Sequence, residues 1–278
     1  MEHLSQWSGR LAHFNGILKA LLVFTTGLVL LGWWMYVPPG LLGKADAAGY
    51  AVCHRIDVRS FHIGDRPTPL CARCSGMYLG GLLGIVYLSR FGKRAGLPSL
   101  KISIVLAAFL AAFAFDGVNS FLHLAEFPGI FSAFRVYEPN NTLRLFTGTG
   151  LGLGIAAVLV PVFHQSIWPV YDGRSALSGW KTFLPLLLLA GLLDAAVLSD
   201  NPLLLYPLAL LSGASILLIL AMVYAVVWIM IAKRENRIQR YRELWVPLTA
   251  GFLTAILQIF LIDAGRLWLT GTWSGFIF

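Results

Sequence analysis

The chain has three cysteines, and all of them fall in one stretch: Cys53-His54, then Arg59-Ser60-Phe61-His62, then Cys71-Ala72-Arg73-Cys74. Thiols beside imidazoles are soft-metal ligands or redox groups, because the thiolate is both the metal ligand and the nucleophile. Cys71-x-x-Cys74 alone suits either chemistry. With Cys53 and one histidine it makes a Cys3His set, the tetrahedral environment that Zn2+ favours. That histidine is His54 or His62: His54 adjoins Cys53, which makes joint chelation of one ion awkward, and His62 has more freedom. A closed four-ligand site would be structural, whereas three protein ligands leave a position at which a nucleophile is activated. The rival is a Cys71–Cys74 disulfide with Cys53 as a free or resolving thiol, favoured in an oxidising compartment. Arg55, Arg59, Arg66 and Arg73 crowd the same stretch against Asp57 and Asp65. Guanidiniums at that density grip phosphate or carboxylate through forked hydrogen bonds, or are simply solvated charge.

The elements that must hold this stretch are read from composition. Of 278 residues, 58% are apolar and only 12% charged, about half the charged fraction of an ordinary soluble domain. Seven runs, at 17–37, 75–91, 102–123, 143–164, 181–199, 203–232 and 244–269, approach the ~20 residues that cross a bilayer as a helix. The runs are continuous rather than alternating, so the expectation is an all-α transmembrane bundle of seven spans over residues 1–278, and not a β-barrel.

The net charge of +8 is distributed as in a membrane protein, not a nucleic-acid binder. Lys93, Arg94 and Lys101 lie between the second and third runs, and Lys233, Arg234, Arg237, Arg240 and Arg242 between the sixth and seventh. The positive-inside rule makes both loops cytoplasmic. The amino terminus is then cytoplasmic, the carboxyl terminus extracytoplasmic, and the loop 38–74 with its thiols lies outside a prokaryotic cytoplasmic membrane. The basic runs face anionic lipid head groups. A signal-peptidase reading of Ala45-Asp46-Ala47 is disfavoured, because the apolar run before it is too long and too far upstream.

Polar residues inside the runs collect at the outer end. Asp116, Asn119, Ser120 and His123 follow i, i+3, i+4, i+7 spacing and share one helix face; Asn141 and Arg144 open the fourth run. Asp194 closes the fifth, and Asp263 and Arg266 the seventh. A carboxylate in hydrocarbon costs about 2.5 kcal/mol or more, so these groups need partners or water. Local pairing would match Asp116 with Arg144 and Asp263 with Arg266. The alternative is a polar cavity open to the outside, with Asp116 as base or cavity ligand, Arg144 as anion clamp, and Arg59, Asn119, His123, Asn141, Asp194, Asp263 and Arg266 lining it.

Two glycine patterns are structural rather than nucleotide-binding. Gly148-Thr149-Gly150-Leu151-Gly152-Leu153-Gly154 follows no strand, and Gly76, Gly80 and Gly84 recur every four residues; both let helices approach closely and mark the second and fourth runs as the tight centre. Trp33, Trp34 and Tyr36 read as an aromatic belt at the outer interface, and Trp245 at the inner one.

Cys53-His54, Arg59-Ser60-Phe61, Gly64, Cys71-Ala72-Arg73-Cys74, Gly76, Tyr78 and Gly80, with Asp116-Gly117 and Asn141-x-x-Arg144-x-x-x-Gly148, resemble an uncharacterised prokaryotic membrane protein family, domain-of-unknown-function family 2085. The resemblance covers roughly residues 45–155. It implies that Cys53, His54, Cys71, Cys74, Asp116, Asn141 and Arg144 form one functional unit, and it inclines the choice of fourth ligand towards His54. The leading expectation is a zinc site on Cys53, His54, Cys71 and Cys74 above a polar cavity that takes an anionic, lipid-linked substrate. The alternatives are a thiol–disulfide oxidoreductase with no metal, working through Cys71 and Cys74, and a non-catalytic subunit partnered by other membrane proteins.

Overall fold

The computed structural model describes residues 2–125 and 136–275. Among the described residues eight α-helices follow one another: α1 (Glu2–Tyr36), α2 (Gly40–Val52), α3 (Ala72–Ser89), α4 (Leu100–Ala125), α5 (Asn141–Ile167), α6 (Trp180–Leu198), α7 (Pro202–Ile231) and α8 (Trp245–Thr270). The expected all-α membrane bundle is what forms. Among the described residues six helices, residues 16–36 of α1 with α4, α5, α6, α7 and the last, α8, are long and apolar enough to cross a membrane. They match six of the seven runs to within a few residues. The remaining run is α3, an 18-residue helix that falls short of that measure, because Arg73 opens it and Gly76, Gly80, Gly81 and Gly84 dilute its apolar side chains.

Those glycines make α3 central instead. It lies against α5 backbone to backbone: a Cβ on Gly76 would stand 2.3 Å from the Leu145 carbonyl oxygen, and one on Gly80 2.6 Å from that of Thr149. The fit is reciprocal, since a Cβ on Gly148 would stand 2.1 Å from the Arg73 oxygen and one on Gly152 2.2 Å from that of Met77. The two glycine patterns of the sequence are thus the two halves of one interlock. Gly150 instead faces Phe109 of α4, and a Cβ on Gly154 would meet nothing within 4 Å.

Residues 38–74, expected as an outer loop, are folded and packed into the bundle. Helix α2 is rich in alanine and glycine, so it nests closely: Ala45 touches Gly213 of α7, and Ala47 and Tyr50 are fully buried. A 3₁₀ turn at Asp57–Arg59 leads to an antiparallel hairpin, β1 (Ser60–Ile63) and β2 (Arg66–Cys71), which turns at Gly64 with φ +63°. Its register sets Ser60 opposite Cys71, and α3 begins at the next residue. At the opposite end of the bundle β3 (Arg94–Gly96) pairs in parallel with β4 (Asp172–Ser175).

The interlock makes a paired prediction. Gly152→Ala must push α3 from α5, and overpacking of this kind costs about 1–3 kcal/mol; Gly154→Ala has room and gains up to about 1 kcal/mol of helix propensity. Thermal unfolding of the purified protein in detergent should show a lower midpoint for Gly152→Ala and an unchanged or higher one for Gly154→Ala.

Candidate metal centre

Cys71 caps the N-terminus of α3 and Cys74 sits in its first turn, so the spacing of the Cys-x-x-Cys pair is set by one turn of helix. Cys53 arrives from the end of α2. Its Sγ accepts the backbone N–H of Cys71 and that of Arg55, each at 3.4 Å. To present that amide, Arg55 adopts φ +52°, a left-handed conformation that costs a non-glycine residue roughly 1–2 kcal/mol. All three thiols are free, and their sulfurs lie within 4.8 Å of one another. Cys53 and Cys71 are buried and Cys74 partly so, among Trp33, Leu70, Ile216, Ile256 and Ile259.

The protons in this trio are unequally held. Cys71 and Cys74 both donate towards Cys53, and these hydrogen bonds hold its thiol well below the usual range in spite of burial. Cys71 is pushed up to about 12, first by its hydrogen bond to Cys53. A bound cation would let all three sulfurs ionise.

The structure places the two candidate histidines differently. His54 Nδ1 accepts the N–H of Ile56 at 3.2 Å and is not among the ligand atoms clustered with the sulfurs. Burial, opposed by Cys53 and reinforced by Arg59, Arg73 and Arg144, lowers its pKa from the usual value, so the ring is neutral and able to ligate. His62 Nε2 pairs with Asp57 at 3.1 Å on the exposed side of the hairpin, away from the trio.

A guanidinium cluster borders the thiols. Arg73, between the two cysteines of α3, forks onto Asp116: its Nε donates to Oδ2 at 3.0 Å, and its Nη2 donates to the same oxygen, to the Asp116 carbonyl at 3.1 Å and to Ser120 Oγ at 3.0 Å. The Tyr137 hydroxyl takes Oδ1 at 2.6 Å, and that phenol is pushed up to about 12 by burial and by the carboxylate. Both oxygens of Asp116 are therefore engaged. Arg59, 9% exposed, donates to the Ser120 carbonyl at 2.8 Å; Arg144, 6% exposed, donates through Nη1 to Asn141 Oδ1 at 2.8 Å. Arg144 Nε is buried with no hydrogen-bond partner among the described residues. Asn141 in turn reaches the carbonyls of Val58 and Ser60 at 3.3 and 3.4 Å, tying α5 to the hairpin. Arg59 lies close enough to Arg73 that repulsion adds to burial in lowering its pKa. Neither Arg59 nor Arg144 has a carboxylate within ion-pair distance among the described residues.

The other polar candidates are each held by a different neighbour. Asn119 bridges the Tyr137 carbonyl at 2.9 Å and the Val136 N–H at 2.8 Å, and His123 lies 4.0 Å from Glu138. Asp194 accepts from Thr149 at 2.6 Å and Asp263 from the indole of Trp33 at 3.0 Å. Arg266 donates to the Cys53 carbonyl at 2.8 Å and to that of Tyr50, and lies 3.9 Å over the Tyr50 ring. The three carboxylates thus sit on separate helix pairs: Asp116 between α4 and α3, Asp194 between α6 and α5, Asp263 between α8 and α1. Local pairing by sequence distance is corrected at Asp116, whose partner is Arg73 rather than Arg144; Asp263 accepts a hydrogen bond from Trp33 and also feels the charge of Arg266. Trp33 is accordingly no belt residue; it is buried at 3% exposure. Arg73 was signalled by its place between two cysteines, whereas nothing in the sequence marked Tyr137.

Residues 53–158 match the model of a family described as "Predicted membrane protein (DUF2085)". That stretch holds the thiols, Arg59, Arg73, Asp116, Asn141 and Arg144, and ends before α6, much as the resemblance in the sequence had it. An uncharacterized protein of Methanocaldococcus jannaschii is 29% identical over 117 residues, 42% of this chain and 67% of its own length. One of Methanothermobacter thermautotrophicus is 29% identical over 115 residues, 41% of this chain and 88% of its own length. No solved structure matches.

The Arg73–Asp116 pair yields a test. Removing one partner of a buried pair strands the other and costs about 3–5 kcal/mol, whereas replacing both with apolar residues is close to neutral. Asp116→Leu alone should unfold at markedly lower temperature than the unmodified protein, and Arg73→Met/Asp116→Leu should recover most of the loss.

Proposed function

We propose that this multi-pass membrane protein holds a soft divalent cation, zinc, on the thiolates of Cys53, Cys71 and Cys74 at the extracytoplasmic side, beside guanidiniums that engage an anionic group of a lipid-linked substrate. The observation that carries the reading is the convergence of three sulfurs, from two segments, to within 4.8 Å. Zinc–sulfur bonds of about 2.3 Å at tetrahedral angles need sulfurs roughly 3.8 Å apart, a small contraction of what the fold already provides. The N–H bonds to Cys53 Sγ and the N-terminus of α3 both favour thiolate. His54, neutral and adjacent in sequence to Cys53, would be the protein's fourth ligand if its ring left the Ile56 amide; otherwise the fourth position would be open to the substrate.

Charge supports the same reading. Arg59 and Arg144, both buried, and the partly buried Arg73 carry three positive charges against the one buried carboxylate of Asp116. Three thiolates around a divalent cation contribute one net negative charge, which leaves one positive charge for an incoming anion. Zinc with three protein ligands supplies a Lewis acid at the open position. The residues of this chain then divide the remaining work. Arg144, with a buried unpartnered Nε, and Arg59 grip the anion; Asp116, with both oxygens occupied, positions Arg73. The basic loops at the other end support placing the thiols outside the cytoplasm.

A second reading rests on the same helix turn. Cys71 at the cap and Cys74 in the first turn of α3 are placed as in a dithiol redox pair, with Cys53 as the resolving thiolate. Two measurements separate the readings. Elemental analysis of the purified protein should find close to one zinc per chain, falling below about a tenth in Cys71→Ser. Mass-tagging of thiols should show three groups that become reactive on chelation. A two-thiol change that follows reductant alone, with no metal present, would establish the redox reading instead.

A further inference from the structure

At the end of the bundle away from the thiols, a groove of about 710 Å3 runs between the start of α8, the end of α7 and residues 18–22 of α1. We propose that it is a binding site for one anionic phospholipid, independent of the metal reading. Its rim carries Lys19, Arg234, Arg237 and Arg242 against the single carboxylate of Glu243. None of the four cations has a carboxylate within ion-pair distance among the described residues. The Glu243 carboxylate is itself occupied, accepting the Gln239 N–H at 3.0 Å.

The rim is held in place rather than trailing in solvent. Residues between α7 and α8 are pinned to the end of α5, where the N–H of Asn236 meets the Ser166 carbonyl at 3.0 Å and that of Ile238 meets the Ile167 carbonyl at 3.3 Å. Lys233 and Asn236 take left-handed φ of 50° and 57° to make this turn. Arg234 and Arg242 therefore stand at a fixed level, just past the end of α7 and just before the start of α8.

The floor is apolar and extends into the helices. Leu22, Ile229 and Ala250 line it; Ala250 lies five residues along α8 from Trp245, roughly 8 Å deep at 1.5 Å per residue. The indole N–H of Trp228 is turned aside to Thr254 Oγ1 at 2.9 Å, so its ring contributes apolar surface. A cationic rim above an apolar slot, on helices that cross a membrane, is complementary to a phosphate with its acyl chain. A free phosphate would leave the slot unfilled, and a neutral lipid would leave the rim unbalanced.

The experiment uses the full chain in detergent, with native mass spectrometry and thermal unfolding at increasing phosphatidylglycerol, phosphatidylcholine or inorganic phosphate. Phosphatidylglycerol alone should be retained as one lipid per chain and raise the unfolding midpoint. Arg234→Gln/Arg237→Gln/Arg242→Gln should weaken its binding on the order of a hundredfold, since each cation near an anionic lipid is worth about fivefold. Ala250→Trp, which fills the slot without touching the charges, should weaken it as well. Arg174→Gln, an exposed arginine at the same end that pairs with Asp172, should leave binding unchanged. Equal retention of phosphatidylcholine, equal stabilisation by inorganic phosphate, or undiminished binding in both groove variants overturns the proposal.

Discussion

The close approach of α3 and α5 is the constraint on which the rest of this structure depends. Gly76, Gly80, Gly148 and Gly152 remove the side chains that would hold the two backbones apart. Each helix then carries functional groups at the same end: Cys71, Arg73 and Cys74 open α3, and Asn141 and Arg144 open α5. Lipid offers no hydrophobic drive between helices, so packing of backbone on backbone must set their register. A one-residue slip would rotate Arg73 away from Asp116 and Arg144 away from Asn141. The glycines thus do for the site what rigid strands do in soluble enzymes.

The site that this interlock positions is unusual in its charge. Buried ions are costly unless paired and hydrogen-bonded, and here three guanidiniums share a region with one carboxylate. Apart from the fork of Arg73 onto Asp116, their hydrogen bonds run to Ser120, Asn141 and main-chain carbonyls, which satisfy donors without supplying negative charge. Negative charge is available a short distance away, in sulfurs that the fold has collected and that accept N–H bonds. Thiolates and arginines therefore explain one another: each would be harder to bury alone. This mutual dependence is an argument for the proposed metal-thiolate centre.

Much of the architecture was legible in the sequence because its signals are local. Six of the seven apolar runs correspond to helices long and apolar enough to cross a membrane, and glycines at four-residue spacing identified which helices touch. The short α3 was harder to place, since the glycines that centre it also lower its hydropathy. Packing of residues 38–74 into the bundle was not legible, because polar spacing and two prolines beside Cys71 read as loop, and only the alanines of α2 hinted at burial. Partner choice was the least legible feature. Asp116 and Arg144 are neighbours in the linear logic of helix ends, but the helix rotation fixed by the glycines brings Arg73 to Asp116 instead. Trp33 illustrates the same limit, for an indole at a helix end serves an interface belt or a buried carboxylate equally well.

Ionic state and coordination of the three sulfurs decide the account, and X-ray absorption at the zinc edge of the purified protein reads both at once. The account predicts zinc with about three sulfur neighbours at about 2.3 Å and one lighter ligand, lost when Cys53 is replaced by serine. Zinc bound only through nitrogen and oxygen, or protein free of zinc whose Cys71 and Cys74 are joined by a disulfide, would contradict it.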